Sequence, residues 1–151
     1  MHIHTSSDVG PRNDLTVCDD LVTFFEDNAA SARPGALGFE EVRPEAKLSH
    51  DLTISPTRLK EPAYAPFVRY MQLLQACYND YTEQWPFLNR NIGRVHAGSF
   101  NVLKYDTGGY FADLHAERTS INHLHRVLAW MTYLNDVEAD GETEFPHYDL
   151  K

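Results

Sequence analysis

The apolar residues of this chain pass from helical spacing over residues 67–81 to alternation after residue 98, and that switch limits the folds open to it. In the first regime Phe67, Tyr70, Met71, Leu74, Cys77, Tyr78 and Tyr81 recur every three or four residues, which lines them up along one side of a helix. The spacing predicts a helix from near Pro66 to a stop at Trp85-Pro86, with the stripe as its packing face. A shorter helix is predicted from Asp19-Asp20, whose side chains suit a helix start. It carries Leu21, Phe24 and Phe25 and fades by Ser31-Ala32, before Arg33-Pro34-Gly35.

In the second regime Phe100 and Val102 alternate with Leu103 and Tyr105, and Thr107-Gly108-Gly109 turns the chain. Tyr110 to His115 reads as the next strand. Arg126 to Leu134 is apolar on both faces, the pattern of a strand buried on both sides. Asp140-Gly141 marks a turn, and Thr143 to Phe145 starts another extended segment. Shorter strands are predicted around Phe39 to Val42 and Leu52 to Ile54, followed by the punctuation of Pro56, Pro62 and Pro66; residues 1–14 read as a loose polar arm. Helices first and strands afterwards predict an α+β domain, mainly a β core with helices packed outside it.

A single domain is expected over the 151 residues. Asp and Glu number 22 against 13 Lys and Arg, a formal charge of −9, which repels phosphate backbones and argues against general nucleic-acid binding. No apolar run reaches the ~20 residues of a membrane span, and the N-terminus lacks the basic-then-apolar order of a signal peptide. A cytoplasmic setting is expected. Cys18 and Cys77 are isolated, without metal-type spacing, and read as small packing residues rather than a disulfide.

The residues with chemical potential are His115 and Glu117, two apart at a strand end. In an extended chain such residues project to one face, so an imidazole nitrogen and a carboxylate oxygen can approach one metal ion together. With a second histidine they would form the two-histidine, one-carboxylate set that leaves positions open on iron(II). Alone, a His-x-Glu pair is more often an ordinary surface pair. His123 and His125 fall in the loop before the 126–134 segment. His147 follows the Gly141-Glu-Thr-Glu-Phe-Pro146 run too closely to match a distal ligand, His2 and His4 on the loose arm suit only adventitious metal binding, and His50 and His96 have no metal partner.

The run Tyr105-Asp-Thr-Gly-Gly-Tyr-Phe-Ala-Asp-Leu-His115-Ala-Glu117 resembles the Tyr-x-x-Gly-x-Tyr-x-x-x-His-x-Asp/Glu stretch of the prolyl 4-hydroxylase-like iron(II)- and 2-oxoglutarate-dependent dioxygenases. Arg126-Val-Leu-Ala-Trp-Met-Thr-Tyr-Leu-Asn135 resembles that family's next core strand, and Gly141-Glu-Thr-Glu-Phe145 resembles its Gly-Gly-Glu-Thr-x-Phe segment. The resemblance covers residues 99–146. It implies a double-stranded β-helix, a jelly-roll or cupin-like fold, with residues 1–97 as helical lead-in and support and 98–151 as the first half of the core. It makes His115 and Glu117 iron ligands and Tyr105 a hydrogen-bond partner of 2-oxoglutarate. The implied reaction couples decarboxylation of 2-oxoglutarate to succinate with hydroxylation of a substrate by dioxygen. A peptidyl proline is the substrate the family suggests, and ascorbate the supporting reductant.

Three departures matter. Glu117 stands where Asp is commoner in the family, and Asp140 replaces the first glycine of Gly-Gly-Glu-Thr. The family's second iron histidine, and the Lys or Arg that pairs with the far carboxylate of 2-oxoglutarate, lie downstream of the matched segment. The barrel is therefore expected to be incomplete at its C-terminal side, and the polypeptide as it stands is not expected to be a competent catalyst. The alternative is a non-catalytic remnant or binding module on the partial β-helix. Arg126 is expected to form a salt bridge within the scaffold rather than touch cosubstrate.

Overall fold

The computed structural model describes residues 15–37, 41–118 and 120–151. The expected N-terminal arm with His2 and His4, and Phe39 and Glu40 of one expected strand, lie outside the described residues. Glu41 and Val42 form no strand.

Helix α1 spans Thr16–Asp27, starting earlier than Asp19-Asp20 suggests. Leu15 occupies the N-cap position without a side-chain bond, and Asp19 sits in the first turn, where the helix dipole favours a carboxylate. Val17, Leu21, Phe24 and Phe25 are buried, the i, i+4, i+7, i+8 pattern of one face. At the other end the Asn28 side chain donates to the Phe24 carbonyl at 2.8 Å.

Strand β1 is Arg33–Pro34, β2 is Lys47–Leu48 and β3 is His50–Ile54. After two 3₁₀ turns, helix α2 runs Ala65–Gln84 and ends at Trp85, as the apolar stripe predicts. A short α3 covers Phe87–Asn91, then β4 is Phe100–Lys104 and β5 is Tyr110–Phe111. The strands form two antiparallel sheets, one ordered β1-β3-β4 and the other β2-β5. Strand β3 pairs with β4 over its whole length, from His50 opposite Lys104 to Ile54 opposite Phe100.

This register sorts the larger sheet into two faces. Leu52 and Ile54 are buried in one cluster with Val17, Leu21, Phe24, Phe25, Tyr64 and Phe67, and Phe100 and Val102 pack against it. The Phe24 ring meets Phe67 edge-on at 4.8 Å between centroids, and Phe67, only 1% exposed, lies 5.9 Å from Phe100. Asp51, Thr53, Asn101 and Leu103 alternate to the opposite face, where the Thr53 hydroxyl donates to the Asn101 side-chain oxygen at 2.8 Å. The helices cover one face only.

Several expected strands differ. Tyr110 to His115 shortens to Tyr110–Phe111, extended by one bond from the Ala112 N–H to the Ala46 carbonyl at 2.8 Å. Thr143 to Phe145 makes only an isolated bridge between Phe145 and Leu150. Arg126 to Leu134 is neither paired nor buried on both sides. Leu128, Trp130 and Leu134 are half-buried, while Val127, Met131 (57% exposed) and Tyr133 (54%) face outward. The reason is geometric: one face of this segment meets α2 and the sheet, while on the other Thr143 reaches Tyr133 and Met131 yet leaves both more than half exposed. Asp140 and Gly141 both adopt positive φ, 63° and 85°, which makes the expected turn. The architecture is α+β with small antiparallel sheets, and no closed barrel forms among the described residues. No helix there is long and apolar enough to cross a membrane.

Candidate functional site

His115 and Glu117 leave β5 on the loop that follows it, and the chain brings their side chains together. His115 Nε2 lies 3.8 Å from Glu117 Oε1. Each group is held from behind. His115 Nδ1 sits 3.0 Å from the Asp113 carbonyl oxygen, to which a protonated Nδ1 donates, leaving the Nε2 lone pair toward Glu117. Glu117 Oε2 accepts from Arg126 at 2.9 Å, leaving Oε1 toward His115. The imidazole also stacks on Phe111, with centroids 4.4 Å apart and planes 13° apart. Asp113 is in turn bound by Arg43.

These contacts fit a metal-binding pair. Histidine ligands commonly give their second nitrogen to a carbonyl, and ligating carboxylates are themselves hydrogen-bonded. Cis donors at bond lengths near 2.1 Å stand about 3 Å apart, so the 3.8 Å gap closes with a small side-chain rotation. The set stops at two, since no group of three His, Cys, Asp or Glu residues able to hold a metal forms among the described residues. Arg126 makes the expected scaffold ion pair, and its partner is the candidate ligand itself.

Tyr105 follows the end of β4. Burial, with the Asp51 carboxylate next in importance, pushes its phenol above the ordinary tyrosine range, and a hydrogen bond with Ser49 partly opposes this. The residues around it went unnoticed in the sequence. Lys47 Nζ donates to Asp51 Oδ2 at 2.6 Å, and the Ser49 hydroxyl donates to Asp51 Oδ1 at 2.7 Å. Lys47 and Ser49 are each only 6% exposed. The signal was present: Lys47, Ser49 and Asp51 alternate with Leu48 and His50, a polar period of two that puts all three on one face.

The other described histidines form no metal-holding group with this pair. His123 lies 3.3 Å from the Ser120 hydroxyl, and His50 faces Asp106 at 3.4 Å. His147 occupies a 3₁₀ turn. His96 lines an open polar cleft of about 540 Å³ with Gln75, Tyr78, Asn89 and Arg94, which contains none of Tyr105, His115 and Glu117. Cys18 and Cys77 are free and half-buried. No family model, no curated protein and no solved structure matches this chain.

Proposed function

We propose that the chain carries part of the metal centre of an iron(II)- and 2-oxoglutarate-dependent oxygenase of the prolyl 4-hydroxylase-like kind, built on a partial double-stranded β-helix. The observation that carries the reading is the facing pair His115 Nε2 and Glu117 Oε1, each fixed from behind by a contact that leaves its donor atom forward. The motif run from Tyr105 to Glu117 supports it.

On this reading the iron, when bound, supplies the activation of dioxygen and of 2-oxoglutarate. The chain's own residues orient it. The Asp113 carbonyl fixes the His115 tautomer, Arg126 holds Glu117 to one coordinating oxygen, and Phe111 sets the plane of the imidazole. The Tyr105 hydroxyl stays protonated at neutral pH, and it would turn from Ser49 to donate to a cosubstrate carboxylate. A third ligand and a cation for the far carboxylate are required for turnover, and the two residues proposed here do not supply them. A peptidyl proline is the substrate class, ascorbate the reductant and the cytoplasm the setting that go with this reading.

The two-membered donor set favours one other reading, a binding module that keeps this half of the fold and turns over nothing. Cobalt(II) titration of the purified chain separates the two. The oxygenase reading expects binding that is lost in His115→Ala and in Glu117→Ala. Binding unchanged by both substitutions would overturn the ligand assignment and leave the binding module as the better account.

A further inference from the structure

We propose that Lys47 is a positioning residue for both sides of this site, holding Tyr105 through Asp51 and Ser49 and holding His115 through Phe111. The functional meaning rests on the oxygenase reading of Tyr105 and His115; the contacts do not.

The register places Lys47 directly opposite Phe111 across the β2–β5 pair, and opposed residues of antiparallel strands present their side chains on the same face. Lys47 Nζ accordingly lies 5.4 Å from the centroid of the Phe111 ring, within the range of a cation–π contact. The His115 imidazole stacks on that same ring. On its other side the ammonium donates to Asp51, whose second oxygen accepts from Ser49, and Ser49 adjoins the His50–Lys104 pair in the β3–β4 register, which sets it beside Tyr105. One buried cation thus touches the supports of two candidate functional groups that lie in different parts of the sequence.

The backbone closes over this arrangement at Gly35. A Cβ there would stand 2.2 Å from the Ser49 hydroxyl oxygen and 3.0 Å from Lys47 Cε, so the chain passes close above both side chains and limits their movement. A stabilising role alone explains the cluster poorly. A buried ion pair contributes little net stability, and well-packed apolar replacements are often neutral or better. What a charged pair adds here is orientation: Lys47 has a directional bond to Asp51 and a preferred place over the Phe111 ring, and an apolar side chain has neither.

The test is aromatic NMR of the full chain at pH 8, comparing the parent with Lys47→Met, which keeps length and apolar bulk. The proposal expects the far-UV circular dichroism to be unchanged, while the His115 and Tyr105 ring resonances both shift and those of His123 and His125 stay in place. Cobalt(II) affinity should fall about tenfold, as for loss of a support behind a ligand. Unmoved His115 and Tyr105 resonances in a folded Lys47→Met chain would overturn the proposal. Should that variant not fold, Phe111→Leu reads the same connection from the other end. It is expected to move His115 and leave Tyr105 in place, and an unmoved His115 would overturn the relay. A His115→Ala chain that binds cobalt(II) as tightly as the parent removes the oxygenase reading without touching the NMR result.

Discussion

The indole N–H of Trp130 donates to the Tyr70 hydroxyl at 3.1 Å, and this bond ties the 126–134 segment to α2. The same hydroxyl lies 2.9 Å from the Thr132 hydroxyl, and the Trp130 ring packs on Phe100 with centroids 6.0 Å apart. A segment without strand partners is thereby anchored through alternate side chains.

Removing the anchor's hydrogen bond should be measurable. Trp130→Phe keeps an aromatic ring against Phe100 but deletes the donor, and should cost about 1 kcal/mol. Urea unfolding followed by far-UV circular dichroism gives the value. A midpoint equal to the parent's would mean that the bond contributes nothing and that packing alone holds the segment.

The core makes a larger prediction. Phe67 touches Phe24, Tyr64 and Phe100 from a fully buried position. Phe67→Ala should cost about 3–5 kcal/mol through lost burial and the cavity left behind. A loss below about 1 kcal/mol, measured by the same unfolding experiment, would place the real core elsewhere.

Gly109 is where β5 is set against β2. A Cβ there would stand 2.8 Å from the Leu48 carbonyl oxygen and 2.9 Å from the Asp106 carbonyl oxygen, both backbone atoms that cannot swing aside. Gly109→Ala should therefore loosen the β2–β5 pair and, through Phe111, the His115 ring. Faster amide hydrogen exchange at Ala112, which bonds to Ala46, is the expected readout; unchanged exchange would show that the turn absorbs the methyl.

Glu117→Asp tests the ligand pair without deleting the carboxylate. The shorter side chain must serve His115 and Arg126 from one methylene further back, so cobalt(II) affinity should drop but remain above that of Glu117→Ala. Equal affinity in the Asp and Ala variants would show that the position of the carboxylate, and not its charge, decides binding.

Burial raises the phenols of Tyr70 and Tyr105 above their ordinary range. The unfolded chain gives up these protons near the usual value, about pH 10, whereas the folded chain retains them. Their contribution to stability is whole below that pH and is lost as pH rises through the folded values. The urea midpoint should stay level up to about pH 10 and fall beyond it, more gently in a Tyr70→Phe, Tyr105→Phe double variant. An equally steep fall in that variant would assign the alkaline loss to other groups.

Much of this architecture was legible in residue spacing. The α2 stripe gave the helix and its Trp85 end, although of the stripe only Phe67 is fully buried and Tyr70 packs on the core beside Leu73. Likewise the alternation through Leu52–Ile54 and Phe100–Val102 marked the paired strands. The 126–134 segment misled for a physical reason. Its apolar residues on both sides look the same whether the second side is covered or open, and only the three-dimensional arrangement distinguishes the cases. The approach of His115 to Glu117 was visible in their spacing, though it occurs on a loop and not at a strand end. Lys47 was not, because a lysine in a short polar alternation normally signals an exposed strand, and its burial depends on Gly35 passing over it.

Strand β4 pairs with β3 along one edge, and no strand pairs with its other edge among the described residues. Its five residues therefore carry two kinds of amide. Those turned toward β3 are protected by a bond that must open before exchange, and those turned away meet solvent or whatever lies beside them. The free row is also a template with a fixed register, able to accept an extended backbone of this chain or another. An extended chain laid along it would meet Lys104 at the strand's end, already paired with Glu26 at 2.8 Å.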